Sequence, residues 1–211
     1  MTRLACDDYD MAVELIARSS SHYSRVVRMF AAELEVPYEL AVVRDLTSLD
    51  AAPYDNPALK IPSLRMASST LFGTENICRR LAELAPTKRT VLFPEHLTDD
   101  LSRNAQEMVW HAMSAQVQMV MATIGKLPLD NPVFVKARTG FEGALRWLDE
   151  NFARVQLPPH DLSLLEVTLF CLVEHLTFRK TVPVEPYSAL AAFAREFGQR
   201  PSAVATAYRF D

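Results

Sequence analysis

Pro62 is the residue that most constrains this chain, because it stands directly before a strand-like run, Ser63-Leu-Arg-Met66. Proline cannot donate a ladder hydrogen bond, so it is confined to a strand's first residue or to a sheet edge. It also pushes the preceding Ile61 into an extended conformation. An extended Ile61 whose N–H and C=O are not used by the sheet can pair with an extended peptide, by strand addition at an edge. After a short turn comes Thr70-Leu-Phe-Gly-Thr-Glu-Asn-Ile77. Here Thr74 is expected to cap a helix, and a helix N-terminus attracts a carboxylate. One short segment thus offers a clamp for a peptide backbone and a place for an anion.

The surrounding pattern reads β-α-β followed by β-β-α. Residues 12–17 and 38–43 are strand-like, and residues 24–35 carry Val26, Val27, Phe30, Ala31 and Leu34 at helical spacing before Pro37. Two tightly joined strands are expected over 62–67 and 69–72, then a helix over 75–85. The fold class is therefore α/β plus all-α. Residues 1–11 form an N-terminal extension, 12–86 a thioredoxin-like domain, 87–97 a linker, and 98–211 an all-helical domain. Helices are expected from Thr98-Asp-Asp100 to about Ile124, over about 133–152, from Ser163, and over about 187–198. Ser163 and Glu166 have capping-box spacing. The run Leu164–Leu176 is apolar nearly all round, as in a buried helix. Arg200-Pro-Ser202 reads as a helix terminator.

Composition narrows the function classes. The chain has 211 residues, 49% hydrophobic and 23% charged, with a net charge of −4. That balance describes an ordinary globular protein and gives no reason to expect nucleic acid or an anionic membrane as partner. No apolar run reaches the roughly 18 residues of a membrane span, and the first ten residues lack a signal-peptide core. Cys6, Cys78 and Cys171 have no paired spacing, which fits a reducing cytoplasm. Cys78 and Cys171 fall inside helices and read as inert core thiols. No cluster has metal-ligand spacing, so no metal is expected.

Lys60-Ile61-Pro62 and Gly73-Thr74 resemble the glutathione-binding elements of the glutathione S-transferase superfamily. Arg18-Ser-Ser-Ser-His-Tyr-Ser-Arg-Val-Val-Arg28 resembles that family's thiol-activating strand-to-helix turn. Leu162–Glu166, Leu176–Arg179, Leu190–Phe193 and Arg200–Ser202 resemble its later helices and tail, and the likeness spans roughly residues 12–207 in order. It implies glutathione as co-substrate, a small hydrophobic electrophile, conjugation of the glutathione thiolate, and a homodimer. Ser21 aligns with the activating position. Ile61, beside a cis Pro62, would pair with the cysteinyl backbone. Thr74 would hold the γ-glutamyl carboxylate, and Lys60 would contact the peptide's polar end.

The residues leave alternatives open. Ser19–Ser24 can simply cap a helix, and capping and activation are compatible roles. His22, in place of a family proline, reads as a solvent-facing loop residue, Arg25 as an exposed helix arginine, and Glu75 as solvent-facing. Gly73 stands where many members carry a carboxylate or amide. The stripe containing Trp110 and Met113 fits an electrophile pocket, yet such a stripe is more often core or interface. Tyr208-Arg-Phe210 either closes over that pocket or is disordered. His160 and His175 have no evident partner. A non-catalytic interaction module and a glutathione-dependent isomerase or dehalogenase are the competing readings.

Overall fold

The computed structural model describes residues 13–128 and 130–211. The expected N-terminal extension over 1–11, with Cys6, lies outside the described residues. Two compact units emerge. One runs through Thr87 and also includes Arg209–Asp211, and the other comprises Lys88–Tyr208. Among the described residues no helix is long and apolar enough to cross a membrane.

The first unit is thioredoxin-like. Its sheet contains β1 (Glu14–Ala17), β2 (Glu39–Val42), β3 (Ser63–Met66) and β4 (Ser69–Phe72), in the order β2-β1-β3-β4. β1 runs parallel to β2 and antiparallel to β3, and β3 pairs antiparallel with β4. The parallel pair needs a crossover, supplied by helix α1 (His22–Glu33). Val26, Val27, Phe30 and Ala31 bury the face of α1 that the apolar spacing marked out.

Both ends of α1 differ from expectation by two residues, for local reasons. Ser21 is the N-cap and its Oγ accepts from the Ser24 N–H at 3.3 Å, so the helix starts at His22. At the other end Glu35 takes a positive φ of 56°. The Val36 N–H then reaches back to the Ala31 carbonyl at 2.9 Å, and the Glu35 N–H to that of Ala32 at 3.4 Å. This paired closure satisfies carbonyls the helix leaves open, and it stops α1 before Pro37. Helix α2 (Thr74–Leu84) follows β4, with Ile77, Cys78 and Leu81 buried.

The second unit is mostly helical. It contains β5 (Val91–Leu92), α3 (Asp100–Ile124), α4 (Pro132–Asn151), β6 (Leu162–Ser163), α5 (Leu164–Arg179), α6 (Ser188–Phe197) and α7 (Pro201–Ala205). α5 is its core element, buried almost continuously from Leu164 to Leu176 as its all-round apolarity predicted. On it the Thr168 Oγ1 donates toward the Leu164 carbonyl at 2.7 Å and accepts from Gln106 Nε2 of α3 at 3.3 Å. Thr168 is thereby satisfied inside the core, while the buried Oε1 of Gln106 makes no hydrogen bond among the described residues.

Several local expectations change here. The segment expected as a linker carries β5, which pairs in parallel with β6. The capping box is half formed: Ser163 Oγ accepts from the Glu166 N–H at 3.5 Å, but the Glu166 carboxylate turns to His160 Nε2 at 2.8 Å. His160 therefore has a partner, and its Nδ1 also contacts the Pro158 carbonyl at 2.7 Å. His175 packs edge-on against Tyr208 at 5.1 Å between ring centres. Tyr208 is not loose, since its hydroxyl donates to the Cys171 carbonyl at 2.6 Å. Pro201 opens α7 rather than only ending α6, since proline suits the first helical position. Cys78 and Cys171 are buried, as their helical positions implied.

Candidate functional site

Strand register brings three separate segments of the first unit to one end of the sheet. Ile16 lies opposite Ser63, and Ser63 lies opposite Phe72. Adjacent strands are about 4.8 Å apart. One step beyond these partners the chain reaches Ala17-Arg18 on β1, Pro62 before β3, and Gly73 after β4. The turn into α1, the Ile61-Pro62 element and the start of α2 are therefore neighbours.

The Ile61-Pro62 bond is cis. Ile61 makes no backbone hydrogen bond among the described residues, so its N–H and C=O remain available at the sheet end. The loop that presents it is organised by Asn56, which is 6% exposed. Asn56 Nδ2 donates to the Lys60 carbonyl at 3.1 Å, and Asn56 Oδ1 accepts from the Ala58 N–H at 2.9 Å. The Leu59 N–H closes the turn on the Asn56 carbonyl at 2.9 Å. Sequence reasoning did not single out Asn56; an asparagine preceding proline is the turn signal that marks it. Lys60 itself is exposed.

At the start of α2 the cap is Gly73, not Thr74. Gly73 has φ +87° and makes no side-chain cap bond. Thr74 is the first helical residue, so its N–H belongs to the set that the helix leaves without internal partners. It is 8% exposed. The positive φ accounts for the glycine: an L side chain there would be strained, whereas the space is adequate, with Asn76 Nδ2 lying 3.7 Å from an added Cβ. Glu75 is half-buried and paired with Arg79 Nη2 at 2.7 Å, rather than free in solvent.

The turn into α1 is buried. Ser19 is 0% exposed, Ser20 1%, and Ser21 is half-exposed. The Ser21 N–H closes the turn on the Arg18 carbonyl at 3.1 Å. Because Ser21 Oγ accepts from the Ser24 N–H, its own hydroxyl hydrogen stays available to donate outward. His22 and Arg25 are buried at 1% and 2% exposure, which corrects their reading as a solvent-facing loop residue and an exposed arginine. Both belong to α1, which packs against α2; His22 lies edge-on to Tyr23 at 4.7 Å. Burial pushes the Tyr23 hydroxyl up to about 12, so that group stays neutral at physiological pH. Arg18 Nη1 donates to the Arg44 carbonyl at 2.9 Å.

Trp110 and Met113 lie on α3 in the second unit. Trp110 is half-buried, and Met113 is completely buried with Val109 and Ala112.

The sheet end joins the backbone of Ile61, a helix N-terminus with a threonine, and a turn capped by Ser21. Residues 15–89 match the family model "Glutathione S-transferase, N-terminal domain". Among curated proteins no sequence matches the chain. Solved structures resemble nearly all of it. One is a glutathione S-transferase from Methylobacillus flagellatus KT with glutathione bound, at 23% identity and a TM-score of 0.75, covering 94% of this chain and 100% of that one. Another, from Methylobacterium radiotolerans in complex with glutathione sulfonate, has 20% identity and a TM-score of 0.75, with 95% and 97% covered. A glutathione transferase family member from Pseudomonas fluorescens Pf-5 with bound glutathione has 22% identity and a TM-score of 0.74, with 94% and 100% covered. Residues 15–89 thus match a glutathione S-transferase N-terminal domain, and the chain carries the thioredoxin-like-plus-helical fold of these solved glutathione S-transferases.

Proposed function

We propose that this chain is a glutathione transferase that adds the glutathione thiolate to a small hydrophobic electrophile. The observation that carries the reading is the convergence of Ser21, Ile61-Pro62 and Gly73-Thr74 at one sheet end. In this reading the cysteinyl backbone of glutathione pairs with the N–H and C=O of Ile61, as an added strand. The γ-glutamyl carboxylate sits at the start of α2, on Thr74. Lys60 meets the peptide's other polar end. Ser21 donates its hydroxyl hydrogen to the sulfur. That bond and the positive end of α1 favour the anion over the thiol. The sulfur lone pair then forms the S–C bond as the electrophile's leaving group departs with its electron pair. In the second unit half-buried Trp110 is the proposed contact of the electrophile, whereas Met113, completely buried, belongs to the core.

A second reading, a non-catalytic glutathione-binding or interaction module, is favoured by Gly73, which offers no side chain to the γ-glutamyl amine. One experiment separates the two. Thiolate absorbance of glutathione is titrated with wild-type protein and with Ser21→Gly, which keeps most of the cap's stability. A thiolate band at neutral pH that Ser21→Gly removes supports the transferase. Binding without a band leaves the module. Retention on immobilised glutathione, lost in Thr74→Ala, tests binding itself.

A further inference from the structure

The turn into α1 already holds an anion supplied by the chain. The Ser19 N–H donates to Oδ2 of Asp211 at 2.7 Å, between residues 192 apart in sequence. Arg209–Asp211 pack with the thioredoxin-like unit. The Asp211 side chain is only 10% exposed, so its carboxylate is held rather than trailing in solvent. Its other oxygen lies 4.0 Å from Arg209 Nε, on a side chain that is 60% exposed. A contact that long, with so exposed a cation, does little to neutralise the charge. Arg18, Arg25 and Arg28 are the other cations of this stretch. Arg18 donates to the Arg44 carbonyl.

We infer that Asp211 is a built-in counter-anion of the thiol-activating turn, holding the pKa of a glutathione thiol bound beside Ser21 above the value the turn would give without that charge. The inference rests on the glutathione reading above. Only Ser20 lies between Ser19 and the N-cap Ser21, so a carboxylate is already in place beside the positive end of α1 that would stabilise a thiolate. Like charge disfavours a second anion nearby. Asp211 thus acts through its field and not by contact with the reacting atoms. It would limit thiolate formation and set the pH at which it appears.

The test uses the full chain as wild type, Asp211→Asn and Asp211→Ala. Asn keeps an oxygen acceptor for the Ser19 N–H while removing the charge. Two measurements are made: the ultraviolet pH titration of bound glutathione thiol, and calorimetric affinity for S-methylglutathione, which has no ionisable thiol. The expected result is that both variants lower the bound thiol's pKa by about one unit, roughly tenfold more thiolate below that pKa. Affinity for S-methylglutathione should stay within about twofold, since the field acts only on the ionised sulfur. A thiol pKa unchanged in Asp211→Asn overturns the inference and leaves Asp211 as a mere pin for the turn. If none of the three proteins binds S-methylglutathione, the glutathione reading fails and this inference falls with it.

Discussion

The Asn56 amide and the Lys60 carbonyl are joined at 3.1 Å across the loop that delivers Ile61 to the sheet end. The same side chain accepts from the Ala58 N–H. Asn56→Ala removes both bonds from a nearly buried site. Each is worth about 1 kcal/mol, so a loss of about 1–3 kcal/mol is expected in urea unfolding. Glutathione affinity should fall as well, although Asn56 is proposed to touch no ligand. A variant with wild-type affinity would show that the loop holds its shape without this clamp.

Gly73 yields a different kind of prediction, because the obstacle there is conformational and not spatial. An added Cβ meets nothing closer than 3.7 Å, but it must accept φ +87°. Gly73→Ala should cost about 1–2 kcal/mol of thermal stability. A larger loss would point to a steric cause that the geometry lacks.

Glu35 is the converse case. It sits in the left-handed conformation at φ 56°, where an L residue is strained and glycine is not. Glu35→Gly should therefore stabilise the protein by about 0.5–1 kcal/mol, the relieved strain exceeding glycine's added chain entropy. Differential scanning calorimetry would register this as a raised Tm. A lowered Tm would mean that the Glu35 side chain contributes more than its backbone costs.

His160 and Glu166 make the fold sensitive to pH. Burial opposes the His160 cation, but the Pro158 carbonyl and the Glu166 carboxylate outweigh it and raise its pKa above 6.5. A group whose folded pKa exceeds its unfolded value stabilises fully below the unfolded pKa, and the gain is lost as pH rises through the folded one. Stability from this pair should thus be complete below about pH 6.5 and decline above it. Glu166→Gln should cost about 1–2 kcal/mol at pH 6 and flatten the decline. Chemical unfolding at a series of pH values would check both.

Periodicity made much of the fold legible. The alternation around Pro62, the helical spacing from Val26 to Leu34 and the all-round apolarity of Leu164–Leu176 each specify an element through what it must bury. Boundaries set by a few backbone bonds were harder to read. Glu35 ends α1 through a positive φ that no propensity of glutamate foretells, and Gly73 displaced Thr74 as cap. In the candidate site, Ile61, Pro62 and Thr74 were singled out from local chemistry and Ser21 from the resemblance, and strand register brings their segments together. Asp211 was not, since a carboxylate 192 residues from its partner carries no local pattern. His22 and Arg25 misled because polar residue types were read as exposed, whereas helix phase puts both on covered positions.

The pairing of β5 with β6 bears on how the chain can be divided. Thr90 and Asp161, 71 residues apart, exchange bonds beside that pair: the Thr90 N–H donates to Asp161 Oδ2 at 2.8 Å and the Asp161 N–H to the Thr90 carbonyl at 3.0 Å. A fragment beginning at Thr98 would contain every long helix of the second unit and still lack half of this clasp. Leu162 and Ser163, both buried, would lose the strand that covers them just where α5 begins. The helical unit is therefore best isolated from Lys88, with the stretch that composition marks as a connector kept as its first strand.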